Sequence, residues 1–238
     1  MFPFLIKMKN LILDILCPPI CLHCRKTLTA NQYLCETCLN SIQLNTSLFC
    51  PVCRLRLAEN KKICGHANYL LGAAGNYHDP VLRNLIHYFK YKSFKNLSLI
   101  LGEIIINYLK LLNLETYKLS NFIIVPIPLH RFKERQRGFN QSKLLANNIA
   151  EYFNLETVDA LKRIKNTKPQ AQFKNSEQRI KNVKDCFTIK EPLISAIKNK
   201  NILLIDDVFT TGTTINEAIR ILKQNSAKKI IALVAAKA

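Results

Sequence analysis

The sequence predicts an α/β protein in which a parallel sheet is flanked by helices and preceded by a small metal-bound module. Three observations carry that prediction. Short apolar runs alternate with segments of helical periodicity, cysteines occur as spaced pairs, and one turn is dense in acids and threonines. The bulk numbers agree. A chain of 238 residues that is 48% hydrophobic can bury a real core, and nine prolines with six glycines exclude a fibrous or low-complexity chain.

The chain opens with MFPFLIKMKNLILDIL, residues 1–16, in which Leu5, Met8, Leu11, Ile12, Ile15 and Leu16 recur at helical spacing. Lys7, Lys9 and Asp14 break any spanning segment, and no small-residue cleavage site follows. An amphipathic helix is expected, docked on the body of the protein or lying on a membrane surface.

Residues 17–67 hold eight of the nine cysteines. Cys21, Cys24, Cys35 and Cys38 read C-x2-C-x10-C-x2-C, the paired-knuckle spacing that closes a tetrahedral zinc site. Adding 29 to Cys21, Cys24 and Cys35 gives Cys50, Cys53 and Cys64, and Arg25 and Leu28 recur as Arg54 and Leu57, so the unit is repeated. The second copy breaks at its fourth ligand, where Ala67 falls and His66 stands one residue earlier. His66 is the most economical replacement; Cys17 and a degenerate second site are the alternatives. Two sites filled by four thiolates and by three thiolates with a neutral histidine would bring the formal charge from +19 to about +16. His23 reads as a surface residue, and the distant Cys186 as a small core residue. Without a signal peptide, a disulfide scaffold is not supported.

From residue 68 to 238 the pattern becomes alternating. Helices are expected over 80–90 and 96–114; Glu103 and Lys110 make the second a core helix rather than a membrane span. NFIIVPIP (121–128) reads as a strand, 138–153 contains a helix, and 161–185 is a polar, basic loop with a short helix near 177–183. Ile202 to Ile205 form a buried strand; Ile215, Ala218, Ile219 and Leu222 mark a helix, and KIIALVAA (229–236) is the closing strand. Such alternation implies βαβ units and a parallel sheet.

Lysine and arginine number 35 against 16 acids, a net +19 with pI near 9.7. That balance attracts nucleic acid, phosphorylated metabolites or an anionic membrane face, or it reflects an AT-rich genome that favours lysine codons. With no spanning segment, a cytoplasmic protein is expected.

The densest chemistry lies in ILLIDDVFTTGTT (202–214). Asp206 and Asp207 leave the carboxyl end of a buried strand, where open α/β sheets bind ligands. Two adjacent carboxylates suit the two neighbouring hydroxyls of a ribose. Thr210, Thr211, Gly212, Thr213 and Thr214 can then wrap a phosphate with hydroxyls and with the N–H groups of a helix N-terminus, Gly212 allowing close approach. No GxxxxGK is present, so this is not a P-loop. Threonine capping after an acidic turn is the simpler alternative, and it explains one threonine.

This stretch resembles the phosphoribosyl pyrophosphate signature of the type I phosphoribosyltransferases. VPIPLHRFKERQRGFNQS (125–142), LKRIKNTKPQAQF (161–173) and EQRIKNVKDCF (177–187), after a cysteine-paired N-terminus, resemble the ComF family of competence-associated proteins. The resemblance runs from about Pro18 to the end. It implies a double zinc ribbon joined to a type I phosphoribosyltransferase-like domain, often linked to uptake or use of external DNA. The family usually has a small residue where Cys186 stands, and the His66 ending also departs from its pattern. The resemblance assigns Asp206 and Asp207 to the ribose diol and Thr210 to Thr214 to the 5′-phosphate, with Mg²⁺ bridging diphosphate and ribose oxygens. Arg131, Arg135 and Arg137 are candidates for the pyrophosphate, or form a solvated basic loop. Asn140 binds substrate or caps the next helix. Residues 163–182 resemble a mobile hood, with Thr167, Gln170, Arg179 and Asn182 matching its pattern. Lys90 also matches a family position, or packs its stem on a neighbouring tyrosine.

Two readings of function follow. One is a transferase, passing a phosphoribosyl group to an unidentified acceptor. The other is a DNA-uptake factor that binds single-stranded DNA or a competence helicase and uses the pocket as a nucleotide sensor. For the second, HYFKYKSFK (87–95) interleaves cations with rings that could stack bases or sit in the core.

Overall fold

The computed structural model describes residues 18–29, 32–57, 64–92, 94–114, 116–167 and 176–238. The expected N-terminal helix, Cys17 and Gln170 lie outside the described residues.

In chain order the elements are α1 (Glu36–Asn40), β1 (Leu70–Asn76), α2 (Pro80–Tyr91), α3 (Leu97–Leu111), α4 (Thr116–Leu119), β2 (Phe122–Pro126), α5 (Arg131–Arg137) and α6 (Gln141–Phe153). There follow β3 (Leu161–Arg163), α7 (Ser176–Val183), β4 (Phe187–Ile189), α8 (Ile194–Ile197), β5 (Asn201–Phe209), α9 (Thr213–Gln224) and β6 (Ile230–Lys237). Strands β1, β6, β5 and β2 make a four-stranded sheet in that order, every pair parallel.

The apolar runs are continuous because both sheet faces are covered. Along β5, Leu203 and Ile205 enter one core with α2, α3 and α6. Ile202 and Leu204 enter a second core, against α9. Helix starts follow local chemistry. Asp79 accepts hydrogen bonds from the N–H groups of Val81 and Leu82, both at 2.9 Å, with Pro80 in the first turn of α2.

Three features depart from the expected pattern. Strand β1, LLGAAGN, has a glycine- and alanine-rich sequence that weakens a strand signal. Its glycines are needed for packing: a Cβ on Gly72 would lie 2.5 Å from Leu233 Cδ2, and one on Gly75 2.5 Å from Leu82 Cδ2. The basic loop expected after β2 begins as helix α5, closed by Gly138 at φ +82°. The polar segment after residue 160 is clamped at its two ends, where β3 and β4 pair antiparallel, Leu161 opposite Ile189.

The cysteine-rich region shares the main cores rather than building its own. Cys21, Leu22, Leu34 and Cys38 are buried with α2 and α3. Phe49 sits in the second core and exchanges backbone hydrogen bonds with Leu71 of β1 at 2.7 and 3.0 Å.

Candidate functional site

A cleft of about 660 Å³ opens at the carboxyl end of the sheet, and β5 delivers the acid pair into it. Asp206 accepts a hydrogen bond from Ser142 Oγ at 3.0 Å and from the Asp207 N–H at 2.9 Å. Asp207 pairs with Lys90 Nζ at 2.8 Å, and both side chains are largely buried, 11% and 20% exposed. Burial first, and then the Asp207 charge, push the Asp206 carboxyl up to about 7 against the opposing pull of Lys90. Lys90 loses solvent, which alone would lower its pKa, yet the Asp207 and Asp206 carboxylates hold it above the usual lysine value.

Past the acids the chain turns into α9. Gly212 is in the left-handed region at φ +77° and precedes the first helical residue. A Cβ there would lie 2.6 Å from the Phe209 ring, so both backbone and space demand glycine. Thr210 and Thr214 line the cleft, and the Thr211 and Thr213 hydroxyls lie 3.2 Å apart.

The cleft is also lined by cations. Lys133, Arg137, Arg163 and Arg179 all line it. Burial, with Arg163 and Arg137 nearby, lowers the Lys133 pKa to about 8. Arg163 donates to Thr167 Oγ1 at 2.6 Å and packs over Phe187, ring centroid at 5.2 Å. Its Nε is buried without a hydrogen-bond partner among the described residues. A lining of this charge suits a polyanion.

The expected residues divide accordingly. The acid pair, Thr210 and Thr214 come together with Arg137 and Arg179. Arg137 also donates to Gln141 Oε1 at 3.0 Å and lies over the Tyr91 ring at 5.5 Å. Arg131 and Arg135 are exposed on α5 and are not among the lining residues, because a helix spreads consecutive side chains around its axis. Asn140 is buried and caps α6: its Oδ1 accepts from the Ser142 N–H and its Nδ2 donates to the Ile127 carbonyl, both at 3.1 Å. Thr167 is buried beneath Arg163. Sequence reading passed over Ser142, Lys133 and Arg163, which stand inside the quoted family stretches without any spacing signal of their own.

The metal clusters are geometrically complete. Cys21, Cys24, Cys35 and Cys38 form one, and Cys50, Cys53, Cys64 and His66 the other, with ligand atoms in each within 4.8 Å of one another. Tetrahedral Zn–S bonds of ~2.3 Å place sulfurs about 3.8 Å apart. Cys24 and Cys35 are at 3.7 Å, and Cys53 and Cys64 at 3.5 Å. His66 Nδ1 is 3.0 Å from Cys64 Sγ, so the C-x-H ending supplies a fourth donor. The donor sets fit zinc. His23 instead faces Asn84 Nδ2 at 3.2 Å, and Cys186 is fully buried.

Comparison with known proteins places these features in order along the chain. Residues 12–68 match the double zinc ribbon domain and residues 140–238 the phosphoribosyl transferase domain. The chain is 28% identical to competence protein F of Haemophilus influenzae over 224 residues, 88% of this chain and 93% of that protein. Its identity to the DNA utilization protein YhgH of Escherichia coli K12 is 26% over 222 residues, 90% of this chain and 94% of that one. Competence protein ComFC of Bacillus subtilis is 37% identical over 109 residues, 45% of this chain and 41% of that protein. Among the described residues no helix is long and apolar enough to cross a membrane.

Proposed function

The chain is a ComF-family protein, a double zinc ribbon followed by a phosphoribosyl transferase domain, and from that premise we propose that its cleft binds phosphoribosyl pyrophosphate or a related sugar phosphate. The observation that carries this reading is one cleft lined together by the acid pair, by Thr210 and Thr214 of the threonine turn, and by Lys90, Lys133, Arg137, Arg163 and Arg179. Asp206 and Asp207 accept hydrogen bonds from the ribose 2′- and 3′-hydroxyls, taking the place of contacts now made by Ser142 and Lys90. The threonine hydroxyls and the α9 N-terminus hold the 5′-phosphate. Lys90, Lys133, Arg137 and Arg163 face the diphosphate.

The carboxylates are too few, and too engaged, for an all-protein Mg²⁺ cage; they fit an ion held chiefly by ligand oxygens and water. Such an ion supplies charge neutralisation on the diphosphate. In a transferase reaction the C1–pyrophosphate bond breaks as the acceptor bonds to C1, with positive charge developing on the sugar. The segment between β3 and β4 would exclude water from that centre. Zinc is structural in this reading, and reduced thiolate ligands suit the cytoplasm.

The test is calorimetric titration of the zinc-replete protein with phosphoribosyl pyrophosphate, with and without Mg²⁺. Mg²⁺-dependent binding that is lost in Asp206→Ala/Asp207→Ala is expected. Absence of binding to the wild type would overturn the reading.

A second reading takes its lead from the relatives' names, competence and DNA utilization: the protein serves DNA uptake by holding single-stranded DNA or a helicase. The +19 charge favours it. The 87–95 rings give it less. Phe89 is buried, Tyr88 and Phe94 pack together with centroids at 5.8 Å, and Tyr91, 60% exposed, already has Arg137 over its ring at 5.5 Å. Single-stranded DNA titrations at two salt concentrations would separate a phosphate-driven interaction from none.

A further inference from the structure

The two metal knuckles repeat, and in each an arginine follows the second cysteine: Arg25 after Cys24, Arg54 after Cys53. Both adopt left-handed backbone, φ +67° and +59°. In each the arginine N–H turns back to the carbonyl of the first cysteine, at 3.0 Å for Arg25 and 2.9 Å for Arg54. The side chains then reach onto the α/β body at two different places. Arg25 Nη2 donates to Tyr88 Oη on α2 at 3.2 Å. Arg54 Nη2 donates to the main-chain carbonyl of Thr210 at 3.3 Å, and its Nη1 to the main-chain oxygen of Ala238 at 3.5 Å.

Thr210 begins the turn assigned above to the 5′-phosphate. For backbone N–H groups to converge on an anion, the carbonyls of the same peptides must face away from it. In a planar trans peptide the C=O and the following N–H are antiparallel. Pinning the Thr210 carbonyl on a guanidinium therefore fixes the direction of the Thr211 N–H, and a charged donor on the carbonyl makes that N–H a stronger donor in turn. A second line of contacts runs from the same knuckle. Phe49, beside Cys50, pairs with Leu71. Two residues before Leu71, Tyr69 donates to Asn216 Oδ1 at 2.6 Å, and the Asn216 N–H donates to the Gly212 carbonyl at 2.7 Å.

We infer that Arg54 is a positioning residue through which the second metal knuckle holds the Thr210–Thr214 turn in its anion-binding shape. The inference rests on the phosphate reading of that turn. It also makes the metal and the ligand thermodynamically linked, so a bound sugar phosphate raises the metal affinity of the second site.

The experiment compares Arg54→Ala, Arg54→Lys and Arg25→Ala with the wild type as zinc-replete full chains. It measures zinc content, ribose 5-phosphate affinity and amide hydrogen exchange over 210–214. Arg54→Ala is expected to keep both zinc equivalents, to lose roughly five- to thirty-fold in affinity, within the usual range of coupling between sites, and to exchange faster at Thr211. Arg54→Lys restores part of both losses, and Arg25→Ala matches the wild type. Unchanged affinity and exchange in Arg54→Ala would overturn the inference, as would equal effects in Arg25→Ala. Zinc loss in Arg54→Ala would also overturn it, by placing Arg54 in the stability of the metal unit itself. A wild type that fails to bind ribose 5-phosphate would remove the phosphate reading; exchange at Thr211 without ligand would then still decide whether Arg54 orders the turn.

Discussion

Asp206 and Asp207 are adjacent in the chain but have different partners, and this difference is open to measurement. Asp206 retains its proton to about pH 7 in the folded protein, mainly because burial penalises its charge. Its folded-state pKa is raised, so the folded state binds the extra proton between the ordinary carboxylate range near ~4 and about 7. Stability therefore falls as pH rises through that window. Asp206→Asn keeps an oxygen acceptor for Ser142 and has no charge to bury. The variant should gain on the wild type in melting temperature as pH is raised from 4 to 7; a constant difference would refute the assignment. Asp207 depends instead on Lys90. Lys90→Met strands a mostly buried carboxylate and should cost up to ~3 kcal/mol in urea unfolding, with Lys90→Met/Asp207→Asn recovering most of it. Full additivity of the two changes would show that the pair contributes nothing.

At the scale of elements, the turn before α9 depends on one residue without a side chain. Gly212→Ala meets both a left-handed backbone and the Phe209 ring, a strain of ~1–2 kcal/mol from the backbone alone. Its melting temperature should fall and its sugar-phosphate affinity should drop at least tenfold, since relief of the strain reshapes the loop; wild-type affinity would argue that the turn does not touch the ligand. The elements differed in how legible they were. Strand β5 could be read because burial on both faces makes its apolar run continuous, and helices α2, α3, α6 and α9 because one-sided burial forces a period of 3.6 onto the sequence. Strand β1 could not, since its glycines answer to the closeness of Leu233, 161 positions from Gly72, and of Leu82 on the next helix, and neither contact leaves a period in the strand's own sequence. Helix α5 was hidden by its charge: with no buried residue it carries no apolar stripe, and its caps, His130 and Gly138, define it.

For the whole molecule, the zinc region and the α/β body are joined through shared cores. Cys24→Ser should remove one zinc equivalent, and because Cys21, Leu22, Leu34 and Cys38 pack with α2 and α3 it should also lower the melting temperature of the entire chain. A normal zinc count after this substitution would refute the first site. The converse is not expected. Asp206→Ala/Asp207→Ala removes no metal-cluster residue and should leave zinc content unchanged while abolishing sugar-phosphate binding; loss of both together would refute two separable sites.

What the sequence by itself determined is the set of residues close in the chain: the knuckle pairs and their 29-residue repeat, the acid pair and the threonine turn, while the fourth donor of the second knuckle stayed open between His66, Cys17 and none. Spacing encodes these because the reacting groups share one turn of backbone. What only the tertiary structure decided is which distant groups face them. Lys133, Arg163 and Ser142 join the cleft while Arg131 and Arg135 leave it, and Arg54 reaches Thr210 across 156 positions of sequence. Those contacts follow from how the knuckles dock on the sheet, and docking is fixed by buried apolar surface, which has no direction along the chain.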